Sequence, residues 1–472
     1  MPPEREILIQ SLCPSLSGAL MPLLMFSITD VLAVLFFLGV IQMLYHEFGD
    51  VPQTSERLGK LTDDNEFLRI LVEVFANVVG WTLRLEDHHW VVCPAIAQPA
   101  HQGWVLNVSA TIWNASSILH TVAEECRDYE TRFFCVDTWA SFKQINGRRH
   151  DRSTAGKFIT IQPDPDKLYS IMNRLHLRLR GFEGPYILSG RRVGECNVLY
   201  YSYGNPNWTI DLDGTPRPFY VSPLGHLSLG EDRPYFWCPP WVSDLSPRSH
   251  ATTRDGPTTL CYGRFEIKRA VSFSNSGGVY IAWDNQAGKT VYLREARRHA
   301  GLDMWGHDAE ARLKIRKRAL IDLAASESVP EVIREFNEWE NYYLVESEVQ
   351  GERLSSYAIR SRQRLANNNE TDNFSALCEV ILSIALVLQK IHQQTGLLAS
   401  NLNPNNIIIT SSPIKVTLLD PIPLDPKERM ASRLDYNPQV FLQRRSFAVL
   451  IICDLYNCLR PASAASAVKP PT

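Results

Sequence analysis

The sequence predicts an α+β fold: a hydrophobic helical head, an α+β domain, and a second domain of two lobes that is cut short. Three observations carry this prediction. Between residues 61 and 250, apolar stripes at helical spacing alternate with short β-type runs, and no strand–helix–strand rhythm repeats. From 258 onward two strands flank a Gly-rich turn, and a third strand, a helix and a further strand follow. A long apolar helix from Phe374 to His392 then leads into a turn and two short β-type runs, the second ending on Asp420.

Length and composition bound the answer. At 472 residues the chain can hold two or three domains with sizeable cores. It is 45% hydrophobic and 21% charged with a net charge of -3, so no basic excess points to nucleic acid. The ten cysteines show no CxxC and no paired Cys/His spacing, which argues against a zinc site or a disulfide framework.

Residues 1–60 form the head. Between Glu6 and His46 the only charge is Asp30. A membrane helix needs about 20 apolar residues, and Leu24 to Leu44 supplies them if it accepts Asp30. A mid-span Asp costs roughly 2.5–3.5 kcal/mol, which the surrounding Leu, Phe and Val can offset. Hydropathy alone therefore leaves two readings open: a membrane segment within 20–44, or a helix buried against the next domain. Localisation follows that choice, membrane-associated through 20–44 or cytoplasmic. The head lacks the basic start and small-residue cleavage site of a signal peptide.

The domain at 61–250 opens with helical spacing over Phe67 to Val79. Alternating strands follow at Trp81–Leu85, Trp90–Val92 and Trp104–Ser109, then a helix at Ser116–Cys126, a strand at Phe133 and another at Phe158–Ile161. Lys167 to Leu179 carries the stripe Leu168, Ile171, Leu175, Leu179, and Val198 to Tyr203 is strand-like. Pro216 to Val242 is rich in Pro, Gly and aromatics and reads as an ordered connector, with a loose linker after it at Ser246–Pro257. Its polar clusters are Arg148–Arg152, Thr154–Lys157 and Gly190–Arg192; Gly156 before Lys157, beside hydroxyl and Arg donors, could cradle a phosphate, although solvated loop charges explain such clusters as well.

The domain at 258–456 has the order of parts of a protein kinase. Phe265 to Ala282 is strand, turn, strand, and the turn at Ser276, Gly277 and Gly278 lets backbone N–H groups approach phosphates. Thr290 to Ala296 is a third strand with Arg294 where a kinase keeps its phosphate-binding Lys. Asp308 to Ala325 is a helix with Leu313, Arg316, Leu320 and Leu323 in one stripe, so Arg316 faces inward at the position of the Glu that pairs with that Lys. Two arginines facing each other cannot form the pair. Tyr343 to Val349 reads as strand and hinge, with Glu346 among the nucleotide-contacting positions. In the loop after the long helix, the position of the acid that orients the attacking hydroxyl reads Asn401, while the two metal positions read Asn406 and Asp420. Residues 457–472 are a low-complexity tail. If the head spans a membrane, the sequons at Asn107, Asn114, Asn207, Asn369 and Asn373 become glycan acceptors; an ATP-using domain in the secretory lumen would be unusual, which favours the cytosolic side.

These passages together resemble the class III lanthipeptide synthetases, in which a phosphoserine/phosphothreonine lyase domain precedes a kinase domain and a cyclase. The phrases that carry the resemblance are Gly103–Thr111, Ser153–Pro163, Gly184–Ser189, Pro239–Val242, Val271–Tyr280, Glu295–Asp303 and Asn401–Asn406, in that order over about residues 65 to 425. No cyclase follows. The resemblance implies ATP and Mg as cofactors and a precursor peptide or modifying enzymes of a biosynthetic pathway as partners. It also implies an elimination that needs a base, an acid for the leaving group and cations for the phosphate. Arg152, Lys157 and Arg192 match phosphate-holding or nearby positions. Where the family carries Lys-x-His, this chain has Val105, Leu106 and Asn107, and a family lysine aligns with Phe134.

Three readings follow. The first is a degenerate, catalytically impaired lyase–kinase homologue that binds ATP or a phosphopeptide in secondary-metabolite biosynthesis. The second is an active peptide Ser/Thr kinase with atypical residues, Arg294 contacting phosphates and Asn401 positioning the hydroxyl. The third is a membrane-associated interaction protein with vestigial sites. The sequence leaves open whether the chain is an enzyme.

Overall fold

The computed structural model describes residues 64–95, 102–204, 207–210, 216–230, 233–245, 258–303, 306–365, 370–395, 398–400, 403–411 and 414–424. The head with its segment 20–44, the linker 246–257, Asn401 and the tail 457–472 lie outside them. The fold is mixed α+β. The described residues belong to two compact units: Ser55–Ala324 with Pro330–Val349, and Ala325–Val329 with Gln350–Thr472.

The first unit begins with α1 (Glu66–Phe75), which buries Phe67, Leu71 and Val74 at helical spacing. The expected continuation to Val79 does not occur. Val78 N–H bonds back to the Phe75 carbonyl and Gly80 takes a φ of +87°, turning the chain into β1 (Trp81–Glu86). Strands β2 (His89–Pro94), β3 (Gly103–Val108), β4 (Arg132–Val136), β5 (Ile159–Gln162), β6 (Arg191–Arg192) and β7 (Leu199–Gly204) complete an antiparallel sheet in the order β1-β2-β4-β5-β3-β7-β6. Helices α2 (Ala115–Asp128), α3 (Trp139–Ile145) and α4 (Leu168–Arg178) join α1 in one core with the sheet. That core takes Leu106, Val108, Phe133, Cys135, Ile159, Ile161, Leu199 and Tyr201 from the strands. By the pleat, Val105, Asn107, Phe134, Thr160, Tyr200 and Ser202 belong to the opposite face.

Helix α3 is an element the sequence reading did not contain. Thr138 caps it, its side chain accepting from Ser141 N–H, and it buries only Trp139 and Phe142. The Pro-rich connector is more regular than expected: β8 (Asn207–Ile210), β9 (Pro216–Val221) and β10 (Leu227–Leu229) form a small antiparallel sheet.

A six-stranded antiparallel sheet belongs to the same unit. It orders β11 (Thr259–Leu260), β12 (Phe265–Ser274), β13 (Gly277–Asp284), β14 (Lys289–Arg297), β16 (Asn341–Ser347) and β15 (Val332–Glu338). One helix, α5 (Ala309–Asp322), packs on it. Asp308 caps the helix, Oδ1 accepting from Ala311 N–H at 2.8 Å. The helix buries Ala309, Leu313, Arg316 and Leu320, and Ala309 and Leu313 cluster with Ala296, Tyr342 and Leu344 of the sheet. Phe265, Val291, Leu293 and Val345 pack in a separate core with Tyr343.

The second unit contains β17 (Glu352–Arg353), α6 (Leu354–Leu365), α7 (Glu370–Thr395), β18 (Leu398–Ser400), β19 (Ile407–Ser411), β20 (Ile414–Leu418) and β21 (Ile422–Leu424). Strands β17, β19 and β20 form one antiparallel sheet, and β18 pairs with β21. The expected apolar helix and the two β-type runs are α7, β19 and β20. Among the described residues, no helix is long and apolar enough to cross a membrane.

Candidate functional site

Strand register assembles the first candidate site. Phe134 on β4 lies opposite Thr160 on β5, Thr160 opposite Asn107 on β3, Asn107 opposite Tyr200 on β7, and Tyr200 opposite Arg192 on β6. Residues directly opposite one another share a face, so these five form one row across five strands. Val105, two residues from Asn107, is on the same face and is buried. The sheet therefore gathers the Val105, Asn107, Phe134 and Arg192 positions, which are far apart in sequence.

The row is almost neutral. Asn107 is 1% exposed; its Nδ2 donates to Ser202 Oγ at 2.8 Å and its Oδ1 accepts from Thr160 Oγ1 at 3.1 Å. An amide held on both sides this way can neither take nor supply a proton. The same burial removes Asn107 from consideration as a glycan acceptor. Burial pushes the Tyr200 phenol well above its ordinary range despite the neighbouring Arg192, so it stays protonated, donating to the Asn197 carbonyl at 2.9 Å.

Arg192 already has an anion. Both of its terminal nitrogens reach the Glu340 carboxylate, Nη2 at 2.6 Å, and Nη2 also reaches Tyr200 O–H at 3.2 Å. Burial opposes the guanidinium charge, but the bonds to Glu340 hold its pKa above the usual arginine range. Glu340 sits between β15 and β16, and the adjacent Trp339 stacks edge-on against Tyr186 at 4.8 Å. Sequence reasoning passed over Glu340, because nothing in a strand-to-strand turn marks which distant cation it meets.

Arg152 and Lys157 lie in the segment between α3 and β5 rather than in the row. The Arg152 guanidinium stands 5.3 Å from the Phe273 ring on β12. The Gly-rich turn that follows Phe273 is tied down on several sides. Asn275 N–H donates to the Arg148 carbonyl at 3.2 Å, and Arg297 N–H donates to the Ser276 carbonyl at 2.8 Å. Arg312 Nη2 donates to Ser276 Oγ at 3.1 Å. Gly277 has a φ of +134°, and a Cβ there would collide with the Glu295 carbonyl; one at Gly278 would meet the Tyr280 ring at 2.6 Å. Both glycines thus have a packing reason. Arg297, inside this knot, bonds the Asn275 carbonyl, Asn275 Oδ1 and the Tyr186 carbonyl. Burial and the nearby Arg152 push it down to about 10, still charged at neutral pH.

The second candidate site corrects an expectation. Arg316 on α5 faces inward, as the stripe predicts, but it and Arg294 on β14 do not face each other unpaired. Glu346 on β16, 2% exposed, stands between them. Arg294 Nε donates to its Oε2 at 3.0 Å, while Arg316 donates from Nε to Oε1 at 2.6 Å and from Nη2 to Oε2 at 2.9 Å. Burial alone would raise the Glu346 carboxyl, but the charges and hydrogen bonds of the two arginines outweigh it and hold it below the usual range. The kinase couple of strand cation and helix acid is recast as two cations and a strand acid. Arg294 and Glu346, both expected at a nucleotide, are engaged with each other.

In the second unit, Leu419 N–H donates to the Asn406 carbonyl at 2.7 Å, which sets the end of β20 beside the loop carrying Asn406. The two expected metal positions, Asn406 and Asp420, are therefore neighbours. Among the described residues, no three His, Cys, Asp or Glu side chains stand together as a metal cluster.

Comparison with known proteins covers the part of the sequence that forms this sheet. The chain is 35% identical over 286 residues to the protein described as "Probable SapB synthase" of Streptomyces coelicolor, an alignment covering 60% of this chain and 30% of that protein. The chain thus spans under a third of the length of this curated relative. Residues 74–291 match the family described as "RamC, N-terminal domain", and together these similarities point to the RamC-like lanthipeptide synthetases.

Proposed function

We infer that this chain is a lanthipeptide-synthetase-like homologue of the class III kind that holds a phosphorylated precursor peptide without eliminating its phosphate. It would serve as a binding partner for the peptide in natural-product modification. The observation that carries this reading is the row across the first sheet, where Val105, Asn107 and Phe134 supply no base and no acid. ATP and Mg have a poor fit on the six-stranded sheet. Arg294 is bonded to Glu346, and the Gly-rich turn is tied to Arg148, Arg297 and Arg312. The test is incubation of the purified chain with a phosphoseryl peptide, followed by phosphate release and peptide mass. Binding without release is expected; release that is lost in Asn107→Ala overturns the reading.

Glu346 favours a second reading, a peptide Ser/Thr kinase with a rebuilt ionic cluster, since it restores a buried acid where the sequence appeared to lack one. Radiolabelled phosphate transfer from Mg-ATP to a Ser/Thr-rich peptide, abolished by Asp420→Ala, would establish that reading over the first. No thermal shift at millimolar Mg-ATP would dismiss it.

A further inference from the structure

β1 is the outer strand of the seven-stranded sheet, and among the described residues no strand pairs with its free edge. It pairs with β2 without a break from Trp81↔Pro94 to Glu86↔His89. The two strands meet in a two-residue turn, Asp87 and His88, with φ of 43° and 63°. Such a turn makes Glu86 and His89 a hydrogen-bonded pair, and beyond the other end of the strand the Gly80 carbonyl accepts from Ala95 N–H at 2.6 Å. Antiparallel bonding alternates along a strand. Thr82, Arg84 and Glu86 therefore bond to β2, while the N–H and C=O groups of Trp81, Leu83 and Leu85 point out of the sheet's edge.

Proteins ordinarily block such an edge with charge, proline or bulges. The β12 edge shows the devices: β11 covers only Phe265 and Glu266, and beyond them come two register shifts and the exposed Lys268 and Arg269. β1 has no proline, no lysine and no register shift. Its two charges cancel, Arg84 meeting Glu86 at 2.7 Å. Trp81 and Leu83 pack on the core, but Leu85 is 54% exposed and Val79, just before the strand, 99% exposed.

We propose that the β1 edge is the interface between two copies of this chain, paired antiparallel about a two-fold axis at Leu83. This register sets Leu83 opposite its own copy and Trp81 of one copy opposite Leu85 of the other, so each outward-facing residue meets another. Val79 of one copy comes next to Leu85 of the other, and Thr82 lies opposite Arg84, so no like charges stand directly opposite. Moving the axis to Arg84 would set that cation against itself, and moving it to Leu85 would run the pairing into the Asp87–His88 turn. The strand is thus complementary to itself in one register, which favours a second copy over an unrelated extended peptide. The opposite edge of the sheet is β6, only two residues long, so pairing closes at a dimer. The axis stands perpendicular to the sheet, and both copies present the Asn107 row on the same side of one continuous sheet.

The test is sedimentation velocity of the full chain over about 1–100 µM, the affinity expected of an interface below standard size. Monomer at the low end and dimer at the high end is the expected result. Hydrogen exchange over Val79–Glu86 should slow as the dimer fills. Leu85→Lys sets a charge against Trp81 of the other copy and should weaken the dimer by about tenfold or more; the side chain is exposed, so the fold is kept. Thr82→Glu would oppose Arg84 of the other copy in this register and should tighten the dimer severalfold. A chain that stays monomeric throughout overturns the proposal, and so does a dimer that neither variant alters. Slow exchange at β1 in a monomer would show the edge covered by a segment of the same chain. Slowing in a monomer only when a Ser/Thr-rich peptide is added would give the edge to a peptide. Either result also overturns the proposal.

Discussion

Replacing Glu346 by Gln changes a charge and almost nothing in shape, so it isolates the buried carboxylate that joins β14, β16 and α5. Three N–H···O bonds of 2.6–3.0 Å end on this side chain. The Arg316 side chain is 7% exposed and the Arg294 side chain 25% exposed. Removing one partner of a buried ion pair costs about 3–5 kcal/mol, because the charge left behind has no water to turn to. Arg294 can relax toward solvent and the amide keeps one acceptor, so the expected loss is about 3 kcal/mol, at the low end of that range. For a unit of this size that lowers the melting temperature by about 6–12 °C.

Calorimetry of the full chain, reading the first transition, measures it. A second variant sharpens the reasoning. Glu346→Gln combined with Arg316→Met leaves one cation able to reach solvent and an apolar side chain in the Leu313–Leu320 stripe, and should recover more than half of the loss. The pH dependence has a fixed sign. The folded pKa of Glu346 lies below its unfolded value of about 4.3. Its stabilisation is therefore fully present above that pH and is lost as pH falls through the folded value. The gap between wild type and Glu346→Gln should hold constant from neutral pH down to about 5 and close only below about 4. A melting shift under about 2 °C at pH 7, less than 1 kcal/mol on the same scale, would refute the claim that this carboxylate holds the helix to the sheet.

Three further outcomes are expected. Gly277→Ala adds a Cβ at a φ of +134° against the Glu295 carbonyl and should destabilise by about 2 kcal/mol or more, read by urea titration. Asn107→Ala strips the half-buried Thr160 and the buried Ser202 hydroxyls of their shared partner and should cost about 1–3 kcal/mol while altering no phosphate release. Glu340→Gln frees the Arg192 guanidinium, so a thermal-shift titration with inorganic phosphate should give a larger shift than wild type; an unchanged shift would mean that Arg192 is shielded by more than Glu340.

What the sequence made legible were patterns carried by neighbours in the chain. The stripe through Leu313, Arg316 and Leu320 places Arg316 on the buried face, and the alternation at Trp104–Val108 yields β3 with Leu106 inward. The partner of Arg316 was not legible, because it lies on a strand thirty residues away and only register brings it in. Without that strand residue the two arginines read as facing each other with no acid between them. The Gly277–Gly278 turn shows a different limit. A glycine required for close backbone packing and one required for phosphate approach look the same in one dimension; the Glu295 carbonyl behind Gly277 tells them apart. Helix α3 escaped because a short element with two buried aromatics has no period to detect.

The electrostatics of the three arginine sites argue for one distribution of roles. Four arginines of the first unit have internal partners: Glu346 serves Arg294 and Arg316, Glu340 serves Arg192, and Arg297 rests on Asn275 and Tyr186. Such internal partners exclude weak external anions, because a ligand must first displace a carboxylate already bonded at short range. Arg148 and Arg149 are instead exposed, on a segment that also carries the exposed Asp151. The expected order of sensitivity follows: charge removal at Glu346 or Arg316 should lower stability, and charge removal at the exposed Arg148 and Arg149 should spare it. A variant scan that found the opposite order, with stability lost at Arg149 and kept at Glu346, would overturn this assignment.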